Sequence, residues 1–438
     1  MFRHGLLLAA AFLTCCATGS LAQTQSTLAP DKDPPPTALQ SESGPAPETT
    51  QRLAAQNRLA YRLIERLEKD QPAGENIVVS PASAAMALSL LNLGADDKLR
   101  AAIAQALGFE ASSAGPARAR AGKKPPAGKP TDALKGLLQV IIDLDREPGM
   151  QGVLALANAV IFDPDAAPSE LAIRRLRDSG AKVSVEKLAS DETLKSINDW
   201  VSEKTNGLIP AILESAPRDS GLVALNALYF KDKWKFPFEA SSTKQGRFQG
   251  VAGDLELPMM NMGPHVHPVR GDEAFIGIEL PYMHERFALV LVTTREKPAR
   301  AAEFDKAATW LGGEGFAPTP VALAMPRFQL SGKAELLPPL DAMGLKAGRA
   351  SPNALRGFSS AQQSISQITQ RTYLQVDEAG TEAAAATAVL TARSAARPER
   401  VAIDKPFLFA LRDRVSGLIL IAGYVGSPSA GPVAEFAR

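Results

Sequence analysis

Three short constellations in the sequence could do chemistry. Ser241 and Lys244, in "SSTK", have the Ser-x-x-Lys spacing in which an amine activates a hydroxyl for acyl transfer. That chemistry needs the serine at a helix start and Ser-Asp-Asn and Lys-Thr-Gly partners. The nearest partner, "KTNG" from Lys204, is wrong by one residue and lies upstream, so the match reads as chance. His265 and His267, in "PHVHP", put two imidazoles on one side of an extended segment, where they could grip a metal. No third ligand is evident, so they read as a surface strand or loop, and no metal or cofactor is expected. There is no G-x-S-x-G, P-loop or H-E-x-x-H. The third constellation, "DEAGTEAAAATAVLTARSAARPER" from Asp377 to Arg400, poses a question rather than a catalytic site. Its alanines favour helix, "VLT" favours strand, and a bare Arg393-Ser394 sits in a polar stretch that belongs on a surface.

The chain that must position these residues has 438 residues, 45% of them hydrophobic, with a formal net charge of +1. A nucleic-acid binder usually carries a basic excess, so specific nucleic-acid binding is not expected. Residues 1–22 read as a secretory signal: Arg3 and His4, then the short apolar core "LLLAAAFLTCCA", then small residues at Ser20 and Ala22 before a cut. The mature protein is expected to be secreted or periplasmic, and the leader suits a bacterial exporter. Both cysteines, Cys15 and Cys16, lie in that leader, so no disulfide can form after export. Thr14 and Cys15 fit a lipoprotein cleavage site badly, so a lipid anchor at Cys16 is not expected. No later apolar run is long enough to span a bilayer.

Residues 23–50 are rich in Pro, Ser, Thr and Gln and read as a disordered tether; a folded domain is expected over 51–438. "NIVVSPASAAMALSLLNLGA" reads as a strand, then a Ser-Pro helix start, then a buried helix ending at Gly94. The insert at 111–131 has five basic residues and no acidic one. It reads as a flexible loop, or as a polyanion patch of Arg118, Arg120, Lys123, Lys124 and Lys129. Helices are expected over 132–144 and 190–215, among strands such as "VLALANAVIF", "GLVALNALYF", "FALVLVTT" and "LILIAGYV". Strands dominate the second half without regular crossovers, which predicts an α+β fold with large sheets.

Several of these segments, in order, resemble the serpin family: "NIVVSPASAAMALSLLNLGA", "INDWVSEKTNGLIPAIL", "LVALNALYFKDKWKFPFEASSTKQGRF", "IGIELPY", "AMPRFQL", "LDAMGL" and "KPFLFALRDRVSGLILIAGYVGSP". "DEAGTEAAAATA" looks like the hinge of that family's reactive-centre loop. The resemblance implies three β-sheets with a large central one, about eight or nine helices around them, and an exposed loop over about 378–404. It also implies a monomer that performs no turnover. A target serine protease cleaves the loop and is held as an acyl-enzyme while the loop inserts into the central sheet.

The hinge residues suit insertion. From Thr381, one strand face reads Thr381, Ala383, Ala385, Thr387, Val389 and Thr391, all small or β-branched; the other carries Glu382, Ala384 and Ala386, with its one charge near the base. Glu378 and Gly380 precede it, Gly380 supplying flexibility. An arginine at Thr381 would have to enter the sheet buried. The family's commonest loop length puts the scissile bond after Ser394, and a loop one residue shorter puts it after Arg393. Arg393 is the better bait for the acidic pocket of a trypsin-like protease, whereas Ser394 would suit elastase- or subtilisin-like enzymes. Ser80, Ser83 and Asn226 match positions beneath the strands that move apart, and Trp234 the aromatic at the top of the sheet. Gln370 stands where many serpins have His; it can still donate and accept hydrogen bonds, but cannot be a pH sensor. The segment after Gly344 lacks the family's usual Phe, so different packing is expected there. A non-inhibitory binding or carrier serpin would usually show a bulky, charged or Pro-containing hinge, and "TEAAAATA" has none of these.

Overall fold

A computed structural model describes residues 47–109, 130–149, 152–217, 221–381 and 398–429, all within the compact unit Pro45–Arg438. The chain opens with α1 (Pro47–Glu68), β1 (Ile77–Val79), α2 (Pro81–Asn92), α3 (Asp97–Leu107) and α4 (Pro130–Arg146). Next come β2 (Leu154–Phe162), α5 (Glu170–Asp178), β3 (Lys182–Val185) and α6 (Asp191–Lys204). A run of strands follows: β4 (Leu222–Phe230), β5 (Asp232–Lys233), β6 (Lys244–Gln249), β7 (Asp254–Gly271), β8 (Phe275–Pro281), β9 (Phe287–Thr294), β10 (Ala317–Pro326) and β11 (Phe328–Glu335). Two short helices, α7 (Leu337–Leu340) and α8 (Lys346–Arg349), precede β12 (Ile365–Val376) and β13 (Gly380–Thr381). β14 (Glu399–Ala402), β15 (Phe407–Asp413) and β16 (Ile419–Val425) complete the described chain. This is the α+β order expected from the strand-rich second half.

The strands form three sheets among the described residues. The largest has nine strands in the order β1-β16-β15-β9-β8-β7-β10-β14, with β6 on β7. A five-stranded sheet runs β11-β12-β4-β2-β3, and β13 pairs β5 alone. In the five-stranded sheet, β12 and β4 are adjacent and parallel, with Gln370 opposite Asn226. Their outer neighbours β11 and β2 run antiparallel to them.

Every residue of β4 is buried, because both faces of the sheet are covered. Leu222, Ala224, Leu228 and Phe230 join the main core with α2 and β16, while Val223, Leu225 and Ala227 pack with Ile197 and Val201 of α6. Strand period two divides one strand between two cores.

Some boundaries differ from the sequence reading. Helix α1 starts at Pro47 and α4 at Pro130, inside stretches read as tether and insert. Proline suits a first turn, whose N–H groups have no intrahelical partner. The helix expected over 190–215 stops at Lys204: the Thr205 hydroxyl bonds Val201 O at 2.8 Å, and Asn206 and Gly207 adopt left-handed φ of 51° and 79°. After Gly344, Phe358 fills the core against Gly94 and edge-on to Phe162, with ring centroids 5.7 Å apart.

Candidate functional site

The hinge grows from the end of β12, where the chain must reverse without leaving its polar groups unpaired. Asp377 closes the turn: its N–H donates to Gly380 O at 3.0 Å, and its Oδ1 accepts from Ala379 N at 3.0 Å and Gly380 N at 3.2 Å. The returning residues lie against β5 in antiparallel register, Gly380 opposite Lys233 and Thr381 opposite Asp232. Gly380 has φ of 150°, and a Cβ there would sit 2.3 Å from Asp232 O. The glycine read as a flexible joint is therefore required by close backbone approach.

The segment after β5 grips this turn. Trp234 N donates to Ala379 O at 2.9 Å and Phe238 N to Glu378 O at 2.7 Å. The Trp234 side chain is buried, donates Nε1–H to Asp377 O at 2.9 Å, and stacks on Tyr282. Glu378 turns aside to Arg327, whose Nε donates to Oε2 at 3.1 Å and whose Nη2 reaches Oε1, while the Thr243 hydroxyl donates to Oε1 at 2.6 Å. Burial alone would raise the Glu378 carboxyl, but Arg327 and Thr243 outweigh it and hold the group below the usual range. Burial pushes the Asp377 carboxyl the other way, upward. Nothing in the sequence pointed to Arg327 or Thr243; a short-range pattern cannot show an ion pair that far apart.

Beneath the β4–β12 junction, the predicted polar residues only partly meet. Ser80 caps α2 through Ser83 N at 3.0 Å and donates its hydroxyl to Leu420 O of β16 at 2.7 Å. Gln370, fully buried, donates its amide N–H to Ser80 O at 3.2 Å and accepts from Ser80 N at 2.9 Å, in the amide orientation that satisfies both groups. Asn226 instead bonds Asn158, the residue opposite it on β2. The Ser83 hydroxyl, expected to share this network, is buried without a partner among the described residues. Asn158 was legible as the polar interruption of "VLALANAVIF", but its partner depends on sheet register.

The loop expected to be exposed over 378–404 is anchored at both ends: Glu378–Thr381 by the contacts above, and Glu399–Ala402 by parallel pairing with β10. Glu382, Ala383, Ala384, Ala385, Ala386, Thr387, Arg393 and Ser394 lie outside the described residues, as do Arg118, Arg120, Lys123, Lys124, Lys129 and the leader. Ser241 sits on the exposed turn Ala240–Ser242, and Lys244 is exposed at the start of β6. The "PHVHP" segment is not a simple surface strand. His265 is partly exposed in β7, but His267 is 1% exposed, with Phe236 edge-on at 5.6 Å. Among the described residues no cluster of three or more His, Cys, Asp or Glu side chains could hold a metal, and no helix is long and apolar enough to cross a membrane.

The sequence profile of the family described as "Serpin (serine protease inhibitor)" matches residues 54–428. The leukocyte elastase inhibitor of Bos taurus is 30% identical over 393 residues, covering 86% of this chain and 99% of its own. Among solved structures, the thermophilic serpin Tengpin in its native state superposes with a TM-score of 0.71 at 22% identity, over 88% of this chain and 96% of that one. Thyroxine-binding globulin in complex with thyroxine superposes with a TM-score of 0.72 at 21% identity, over 86% of this chain and all of that one. At such identities these two superpositions speak to the fold alone.

Proposed function

The chain belongs to the serpin family, a family of serine protease inhibitors rather than enzymes, and from that premise we propose that it traps a trypsin-like serine protease by loop cleavage and insertion. The observation that carries this reading is the hinge pairing: β13 runs antiparallel to β5, which directly follows β4 in the chain, just past the last β12–β4 pair at Tyr373 and Tyr229. Carrying that register forward, one residue on for each residue back, sets Ala383 opposite Phe230, Ala385 opposite Leu228 and Thr387 opposite Asn226. The small residues of that face would then point into the main core, and Glu382 would lie opposite Lys231, a favourable cross-strand charge pair.

Insertion would separate a single parallel pair and replace it with two antiparallel ladders, a net gain of backbone hydrogen bonds of about 0.5–1.5 kcal/mol each. The covalent step is ordinary acyl transfer. The protease serine oxygen bonds to the Arg393 carbonyl carbon, the Arg393–Ser394 peptide bond breaks, and Ser394 leaves as a protonated amine. Insertion then carries the ester-linked protease away before water can release it.

A second reading, cleavage after Ser394 by an elastase- or subtilisin-like protease, draws on the similarity to the leukocyte elastase inhibitor. The leader supports an exported protein, secreted or periplasmic, and the basic insert supports a polyanion as a second partner. The test mixes the mature protein with trypsin, subtilisin and elastase, runs denaturing gels and weighs the released peptide. A denaturant-resistant complex with trypsin and a new amino terminus at Ser394 is expected. Cleavage by all three without a complex would return the chain to the non-inhibitory class.

A further inference from the structure

We infer that Asp377 is a positioning residue that sets the register in which the cleaved loop enters the sheet, an inference that rests on the inhibitory reading above. Asp377 is 7% exposed and engaged at every polar atom. Its N–H goes to Gly380 O, its carbonyl receives Trp234 Nε1, its Oδ1 receives Ala379 N and Gly380 N, and its Oδ2 receives Gln375 Nε2 at 3.4 Å. A short carboxylate that accepts from the N–H groups two and three residues on is what closes a tight reversal. Without it, two amides of the turn lose their acceptor, and only backbone bonds are left to hold the angle at which the returning strand leaves β12.

Three separate pairings show why that angle matters. The turn sets residue 377 against 380, which projects Gln370 opposite Thr387. The β13–β5 register projects Thr387 opposite Asn226. The β12–β4 register already sets Gln370 opposite Asn226. All three close on one residue, so a loop entering from this turn bonds both flanking strands without a shift. A slip of one residue would turn each side chain to the other face, sending Glu382 toward the main core. The charged groups that act on Asp377 are its neighbour Glu378 and the Arg327 that pairs with Glu378.

The test compares the mature protein, Asp377→Ala and Asp377→Asn against trypsin, subtilisin and elastase. It measures the rate of loop cleavage and the split between trapped complex and released cleaved inhibitor. Cleavage should proceed at the same rate within about twofold, since Asp377 stands well before Arg393 and Ser394 in the sequence. Asp377→Ala should release about three- to tenfold more free cleaved inhibitor per complex, and Asp377→Asn, which keeps an oxygen acceptor, should stay near the parent. An unchanged split in Asp377→Ala, or an Asn variant as impaired as the Ala variant, overturns the inference. If Asp377→Ala does not fold, Asp377→Gly, which also lacks a side-chain acceptor, replaces it with the same expectation. If the parent traps none of the three proteases, the inhibitory reading fails separately. The register is then read from the cleaved proteins, where Ala227→Cys and Ala386→Cys should cross-link in the parent and fail to do so in Asp377→Ala; equal cross-linking in both overturns the inference.

Discussion

Trp234 donates its indole N–H to the Asp377 carbonyl across 2.9 Å while its ring stacks on Tyr282 with centroids 4.5 Å apart. One side chain thus ties the turn that ends β12 to the loop that follows β8. Hinge and sheet top are thereby held together. Trp234→Phe keeps the stack and removes the hydrogen bond. It should cost about 1 kcal/mol in chemical unfolding and speed amide exchange at 377–381; unchanged exchange there would separate Trp234 from the hinge.

The register sharpens the hinge test. Thr381 lies opposite Asp232, whose buried carboxylate is already engaged by His284 and by the Lys233 and His284 N–H groups, so Thr381→Arg would bring a guanidinium to a site with its acceptor taken. Ala385 is projected opposite Leu228 in the main core, and Ala385→Arg would bury a guanidinium without a partner, at a cost of several kcal/mol. It should turn the inhibitor into a substrate, seen on denaturing gels as cleaved protein without complex. A complex yield equal to the parent's would argue against insertion.

Cysteine is absent from the chain after Ala22, so an introduced pair reports cleanly. Ala227→Cys with Ala386→Cys is predicted to oxidise only in the cleaved protein, because directly opposed strand residues have Cα separations of about 4.5–5.5 Å, within disulfide range. Ala227→Cys with Ala385→Cys should not. The reverse pattern would place the register one residue off.

His267 makes stability depend on pH. Burial, with His265 adding to it, pushes its imidazole down to about 4 from the ordinary 6.5. A lowered native value means that the unfolded chain takes the proton first. The contribution is therefore complete above pH 6.5 and lost as pH falls toward 4, by roughly 3 kcal/mol. Urea unfolding at pH 7 and pH 4.5 should show much of this loss, and His267→Leu should flatten it.

The basic insert can be removed without touching α4, which starts at Pro130. Deleting 111–129 should abolish any acceleration of protease trapping by heparin at low salt while leaving the rate without heparin unchanged. Equal acceleration in both proteins would place polyanion binding elsewhere.

Strand and helix order and the Ser80 cap were legible in the sequence, because each depends on neighbours within a few residues, whereas Trp234 was marked by the family resemblance. The end of α6 was missed because its stop is a left-handed Asn206-Gly207 pair inside a run that still looks helical. The partners of Asn226 and Glu378 were missed for a different reason. Asn158 and Arg327 reach them only through sheet pairing and chain packing.

By itself, then, the sequence determined what the hinge is made of: a glycine, then one strand face of small uncharged residues that can lie in a sheet interior without desolvating an ion, with Glu382 on the other face. The tertiary structure decided the register of Gly380 and Thr381 against β5. Strand pairing is a long-range choice with a period of two, and a one-residue shift would exchange the two faces at no change in composition. Only the meeting of Asp377, Gly380 and Lys233 in space sets the register of the returning strand.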